Sequence, residues 1–308
     1  MLTFTTDRII NMTDNNRPLL WRKPLQALQD GVLNSVGYPA TLRRRINSGA
    51  LQIKNPQQQD TIWLRSIISW HRWFGSDKNT IRYLRPDHTG DYEFFQCHIP
   101  QLDGLITKNV TENYRCDIST IGGLSSSRDA NLNIPQLDDF ALQRCSEMIT
   151  PLSSEQLARN LSRYTARLSQ MVFSQFSWAP GRLYWNNEDS VHNFVAARYQ
   201  AIQLGQPVSL TGQLNSYTVN PQKIRQLTAE WDLYLLPIAE VYGLFRDALL
   251  RVKSPFGISN PPCWENVDER YFQVIWLERN HPVPARISRM LALAGFPSVG
   301  QLLLKPEP

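Results

Sequence analysis

The sequence is short of the features that announce a specialised protein. Its four cysteines, Cys97, Cys116, Cys145 and Cys263, stand far apart with no Cys-x-x-Cys pair. That spacing gives no disulfide framework and no zinc signature, and favours reduced, buried thiols. No apolar run approaches the ~20 residues that a membrane-spanning helix needs. The segment from Met1 to Asp14 lacks the basic start and apolar run of a secretory signal. A soluble, cytoplasmic chain without a membrane partner is the expectation. His-Glu-x-x-His, Gly-x-Ser-x-Gly and Gly-Lys-Ser/Thr are all missing. Their absence removes the zincin, α/β-hydrolase and P-loop readings, and no metal site is expected. Charge is sparse too, at 19% of residues, with 32 Lys and Arg against 27 Asp and Glu. The basic residues are scattered, Arg43-Arg44-Arg45 being the densest run, so nucleic acid is a permitted partner and not a required one.

What is present is an ordinary globular pattern, 42% hydrophobic over 308 residues, enough for a core without covalent support. Residues 1–60 read as an N-terminal extension of helices and loops, with helical spacing at 24–31 and 40–46. Residues 61–308 read as one mixed α/β domain, giving an α+β fold class. Within it, the spacing predicts a short helix over 61–74 stopped by Gly75, a strand over 91–99 and a long loop over 116–130. Helices are expected over 137–148 and from Ser153 or Ser154 to about residue 164. Strands and helices then alternate. A strand ends near Trp178, Ala179-Pro180-Gly181 turns, and 182–185 returns. A helix follows over 191–204, stopped by Gly205, then a strand from Pro207 and a helix opened by Pro221. Further expectations are a strand over 232–236, a helix over 238–252, a strand over 271–277 and a helix over 284–294.

The densest chemistry lies where the hairpin over 164–185 meets the helix over 191–204. A helix start presents unpaired N–H groups and a partial positive charge, so it favours an anion. Asp189 or Ser190 is the natural N-cap, which explains the polar residues without a ligand. The functional reading makes His192 an acid, base or phosphate contact. Ser190 and Asn193 then bond the ligand beside Asp189, and Arg198 neutralises its charge. In Trp70-His71-Arg72-Trp73 the tryptophans read as core, while His71 and Arg72 are candidates for an opposite wall. The loop over 117–129, with Gly122, Gly123, three serines and Arg128, is either a plain surface loop or a further wall. A nucleotide or another anionic small molecule is the expected ligand. The alternative is a non-catalytic module that binds protein or nucleic acid. No cofactor, reaction or oligomeric state follows from these residues.

Three stretches carry a resemblance. Leu183-Tyr-Trp-Asn-Asn-Glu-Asp-Ser-Val-His-Asn-Phe-Val-Ala-Ala-Arg-Tyr199 is similar to the signature of an uncharacterised bacterial family, domain of unknown function 6685. Ser69-Trp-His-Arg-Trp-Phe-Gly75 also matches, as does Cys116-Asp-Ile-Ser-Thr-Ile-Gly-Gly-Leu-Ser-Ser-Ser127 with Leu137-Asp-Asp-Phe140 after it. The likeness spans roughly residues 60 to 250 and implies no established activity. This chain departs from it, with Ser190 and Val191 in place of Gly-Ser and Asn193 in place of a second histidine. More faintly, the first stretch is similar to a nucleotide-contacting box of the ParB and sulfiredoxin-like superfamily. That likeness implies phosphate binding at the helix start, although the glycine that permits close backbone approach is missing.

Overall fold

The computed structural model describes residues 19–51, 53–56, 60–74, 79–125, 127–162, 168–187, 191–264 and 267–304. Helices α1 (Leu19–Ser35) and α2 (Ala40–Asn47) lead into strands β1 (Thr80–Pro86), β2 (Tyr92–His98), β3 (Ile106–Asp117) and β4 (Ile121–Leu124). Helices α3 (Leu137–Arg144), α4 (Ser146–Ile149) and α5 (Ser154–Ser162) come next. They are followed by the hairpin β5 (Met171–Phe176) and β6 (Ala179–Trp185), helix α6 (His192–Leu204) and strand β7 (Ser209–Val219). Then come α7 (Pro221–Glu230), β8 (Trp231–Pro237), α8 (Ile238–Glu240), α9 (Arg246–Arg251), β9 (Phe256–Ser259), β10 (Phe272–Glu278), α10 (Pro282–Leu293) and α11 (Val299–Leu304). The strands form two five-stranded sheets, ordered β3-β7-β5-β6-β4 and β2-β1-β9-β10-β8, so the fold is mixed α+β.

Side-chain alternation divides the inner strands between two layers. On β6, Leu183 and Trp185 enter one hydrophobic cluster and Tyr184 another. On β10, Val274 and Trp276 join that second cluster while Ile275 and Leu277 enter a third. The middle cluster therefore lies between the sheets, and the outer two lie under helices. Helices α3, α5 and α6 cover the first sheet, whereas α2, α9 and α10 cover the second. Strand β5 runs parallel to β7 and antiparallel to β6. Reaching the far side of β5 requires a crossover, which α6 supplies. It does so by burying Phe194, Val195, Ala197 and Ala201 in the outer cluster. Strands β5 and β7 approach so closely that a Cβ on Gly212 would sit 1.9 Å from the Met171 carbonyl oxygen. Only glycine fits there.

Several expectations hold. Gly205 ends α6 in the left-handed conformation, φ 63°. Pro221 opens α7, and the Asn220 side chain accepts from the N–H groups of Gln222 and Lys223. Others need correction. Residues 61–74 form no helix. Two short 3-10 turns, Leu64–Ser66 and Trp70–Arg72, flank extended chain, and Trp63 bridges to Leu124. Their tryptophans and isoleucines plug the cores that flank the first sheet, so tertiary packing overrides the local spacing. Gly75 lies outside the described residues. The loop expected over 116–130 contains a 3-10 turn, Ile118–Thr120, and strand β4, buried against β6. The hairpin turns one step earlier than expected, at Ser177–Trp178, so Ala179 is already paired with Phe176. The helix over 238–252 is broken around Gly243, whose φ of −109° and ψ of −114° are non-helical. Strands β1, β3 and β9 had no counterpart in the pattern reading.

Candidate functional site

Three of the residues singled out around the start of α6, His192, Asn193 and Arg198, are held by the protein itself. Asp189 and Ser190 lie outside the described residues. The His192 Nε2 lies 2.8 Å from Asp129 Oδ2, and its ring packs 5.2 Å from that of Phe140. Arg144 donates to the other oxygen of Asp129 at 2.7 Å. Asn193 donates to Asn160 at 3.1 Å, and Asn160 in turn donates to Gln200 at 2.9 Å. Gln200, fully buried, also donates to the carbonyls of Ile149 and Pro151. Arg198 donates to the Ile121 carbonyl at 2.7 Å, to Asp138 at 2.5 Å and to the Ser119 carbonyl at 3.1 Å. A guanidinium with three donors so placed is a clamp joining α6 to the approach of β4. Arg128 is exposed.

The second group of candidates meets a different setting. His71 and Arg72, on the 3-10 turn after Ser69, line a cavity of about 750 Å³ with Ser125, Cys263, Trp264 and Tyr271. The two walls are joined where the Ser69 N–H donates to the Cys263 carbonyl at 2.8 Å. Ser125, at the end of β4, is held in turn by Asn187, its N–H and hydroxyl both donating to that residue. The structure thus brings His71, Arg72 and one serine of the central loop together. His192, Asn193 and Arg198 belong to the network described above.

The His71 ring stacks 4.5 Å from Tyr217 and 5.2 Å from Phe176. Its Nδ1 is buried without a hydrogen-bond partner. Burial is the main cause that lowers its pKa to about 4, with the nearby charges of Arg72 and Lys108 adding to it. The imidazole is therefore neutral near pH 7. Placing its proton on Nε2 leaves Nδ1 as an unfilled acceptor instead of an unfilled donor, and makes Nε2–H the one donor of the ring.

A second cavity, of about 800 Å³, shares Arg72 and Cys263 with the first. Its lining is polar: Arg82 from β1, Gln96 from β2, Asn260 and Gln273 flanking the β9–β10 connection, and Glu269. Asn260 donates to Glu269 at 2.9 Å, and Gln273 donates to Asn260 at 3.3 Å. Neither Arg72 nor Arg82 has a carboxylate partner among the described residues. Together the two cavities are lined by three guanidiniums, Arg65, Arg72 and Arg82, by the carboxylates of Asp268 and Glu269, and by the rings of Trp264 and Tyr271. No group of three or more His, Cys, Asp or Glu side chains able to hold a metal occurs among the described residues. No helix among them is long and apolar enough to cross a membrane.

Pattern reading missed Arg82, Cys263 and Tyr271, and missed Asp129 and Asp138 as partners of His192 and Arg198. Thr80 and Arg82 alternate with Ile81 and Tyr83, a usable strand signal that was passed over. The two aspartates carried none, because their partners lie some sixty residues away in sequence.

Two packed sheets with helices on both outer faces define an α+β protein in which two cavities share Arg72 and Cys263. The chain belongs to the family described as "Family of unknown function (DUF6685)", which matches residues 111–305. That match covers the α6 signature and the cavity wall at residues 263–271, while Arg72 and Arg82 precede it. It lends nothing to the fainter ParB-like likeness. No curated protein and no solved structure matches the chain.

Proposed function

We propose that this protein binds an anionic small molecule of the nucleotide type in the paired cavities at Arg72. The acidic part sits between Arg72 and Arg82, and a flat apolar part sits beside Trp264 and Tyr271. One observation carries the reading: two guanidiniums with no carboxylate partner among the described residues line one polar cavity, which shares Arg72 and Cys263 with a cavity lined by Trp264 and Tyr271. Arginine presents a planar fork of donors matched to phosphate or carboxylate oxygens. Neutral amides at Gln96 and Gln273 add donors and acceptors without adding charge. The start of α6 serves as structural support in this reading, and His192 positions the Asp129 segment.

The test is thermal unfolding with AMP, ATP and inorganic phosphate. A ligand at 100 times its Kd stabilises the native state by about 2.7 kcal/mol, so Tm rises with at least one of the three. The shift is lost in Arg72→Ala/Arg82→Ala and kept in Arg128→Ala. No shift with any of the three, or an equal shift in the double variant, overturns the reading.

A second reading, nucleic-acid binding, is favoured by the edge strand β2. Phe94 is 64% exposed and lies under the Arg82 guanidinium at 5.4 Å, and Arg85 covers Phe95 at 4.2 Å. Exposed aromatics beside arginines form a stacking platform for single strands. Salt-sensitive binding of single-stranded DNA that Phe94→Ser weakens would select it over the first.

A further inference from the structure

The Arg43-Arg44-Arg45 run on α2 is used unevenly. Arg44 pairs with Asp30 and Arg45 with Asp247. Arg43 donates only to the Tyr38 hydroxyl, at 2.9 Å. Facing it from α10 are Arg286, which donates to the Gly37 carbonyl at 3.0 Å, and Arg289, which donates to the Ala285 carbonyl at 3.4 Å. None of these three has a carboxylate partner among the described residues, yet all three line a groove of about 580 Å³ between α2 and α10. The rest of the lining is largely apolar. Ile46 packs against the third core cluster, Met290 is half-buried, and Leu293 is 90% exposed. On α10, Arg286, Arg289, Met290 and Leu293 fall at i, i+3, i+4 and i+7, one face of the helix. This groove shares no lining residue with the cavities at Arg72.

We propose that the groove between α2 and α10 docks an acidic amphipathic segment of a partner protein. An apolar side chain of that segment occupies the space between Ile46 and Met290, and its Asp or Glu residues meet Arg43, Arg286 and Arg289. Charge complementarity selects an acidic partner, because three guanidiniums from two helices surround the groove with no carboxylate among the described residues to satisfy them. Shape selects a peptide over a bilayer, since a concave groove between helices accepts a single protruding side chain and a flat membrane surface does not fill it. This is the helix-in-groove mode of recognition, with apolar anchors at helical spacing and a charged rim.

The probe is a fluorescein-labelled helical peptide with leucines at i, i+4 and glutamates between them, read by fluorescence anisotropy on the full chain. Its counterpart with lysine at every glutamate is the control. The acidic peptide binds with salt-sensitive affinity, and the lysine peptide does not. Arg289→Glu and Arg43→Glu each weaken binding about tenfold, the scale expected for reversing one contact charge. Arg115→Glu, on β3, leaves binding unchanged and controls for net charge. Leu293→Ser also weakens binding. That side chain is almost fully exposed, so its loss leaves the fold intact and keeps the test sound should an arginine variant unfold. Equal binding of both peptides, or unchanged affinity in Arg289→Glu and Leu293→Ser, overturns the proposal. So does binding of phosphatidylserine vesicles without binding of the acidic peptide.

Discussion

The start of α6 and the cleft at Arg72 hold similar residues, each with a histidine and an arginine, yet they use them in opposite ways. At α6 the polar groups meet the protein: Arg198 reaches two carbonyls and Asp138, and His192 shares Asp129 with Arg144. At the cleft, His71 keeps a buried nitrogen without a partner, and Arg72 has no carboxylate partner among the described residues. Buried polar groups are ordinarily satisfied, and the exceptions cluster where a ligand or a reaction completes them. His192, Asn193 and Arg198 are thus consumed by packing, although Asn186 Oδ1 just before them is, like His71 Nδ1, buried without a partner, and the cleft at Arg72 carries the functional reading.

Three substitutions test that contrast. The largest effect is expected from Arg198→Ala, whose side chain is only 13% exposed. It strands the carbonyl of buried Ile121 and leaves Ser119 and the half-exposed Asp138 to water, so chemical denaturation should show a loss of about 1–3 kcal/mol. A loss under about 0.5 kcal/mol, the range of an ordinary surface change, would remove the clamp.

His192→Ala should cost less, about 1–2 kcal/mol, because Arg144 still partners Asp129 and the carboxylate is not left alone. Ligand-induced Tm shifts should survive it. Their disappearance in a folded His192→Ala protein would restore α6 as the binding site.

His71→Phe should have the smallest effect and the opposite sign. It keeps the stack on Tyr217 and Phe176 and removes the orphaned nitrogen, raising stability by about 1 kcal/mol at neutral pH. It should also flatten the acid limb of the stability curve. In the native state His71 protonates only near pH 4, while the unfolded chain protonates near its ordinary 6.5. Stability from this group is therefore present above about 6.5 and lost as pH falls toward 4, because the unfolded state binds the proton first. Tm measured across that window should fall less steeply in the variant than in wild type. Equal slopes would show that burial of His71 has no such consequence.

The elements that were legible in sequence are those bounded by backbone chemistry. Gly205 could end α6 because only glycine enters the left-handed region cheaply, and Pro221 could open α7 because its missing N–H is not needed there. Even within α6 the pattern was read imperfectly. Ile202 lies on the same helical stripe as Val191, Phe194 and Val195 yet is 38% exposed, whereas Gln200, a polar residue, is fully buried in an amide network with Asn160. Periodicity locates a helix better than it locates the buried side, since a buried amide is stable once its partners are in place.

Composition and local pattern by themselves determined that the chain builds a mixed α+β core without disulfides, and where several of its helices start and stop. They also determined that histidine and arginine sit near two turns. Which of those residues are consumed by the fold was decided only when strands and helices from distant parts of the chain came together. Hydrogen bonding is short-ranged and geometric: the partners of His192 and Arg198 arrive from 60 to 79 positions away in sequence. No local rule could assign them.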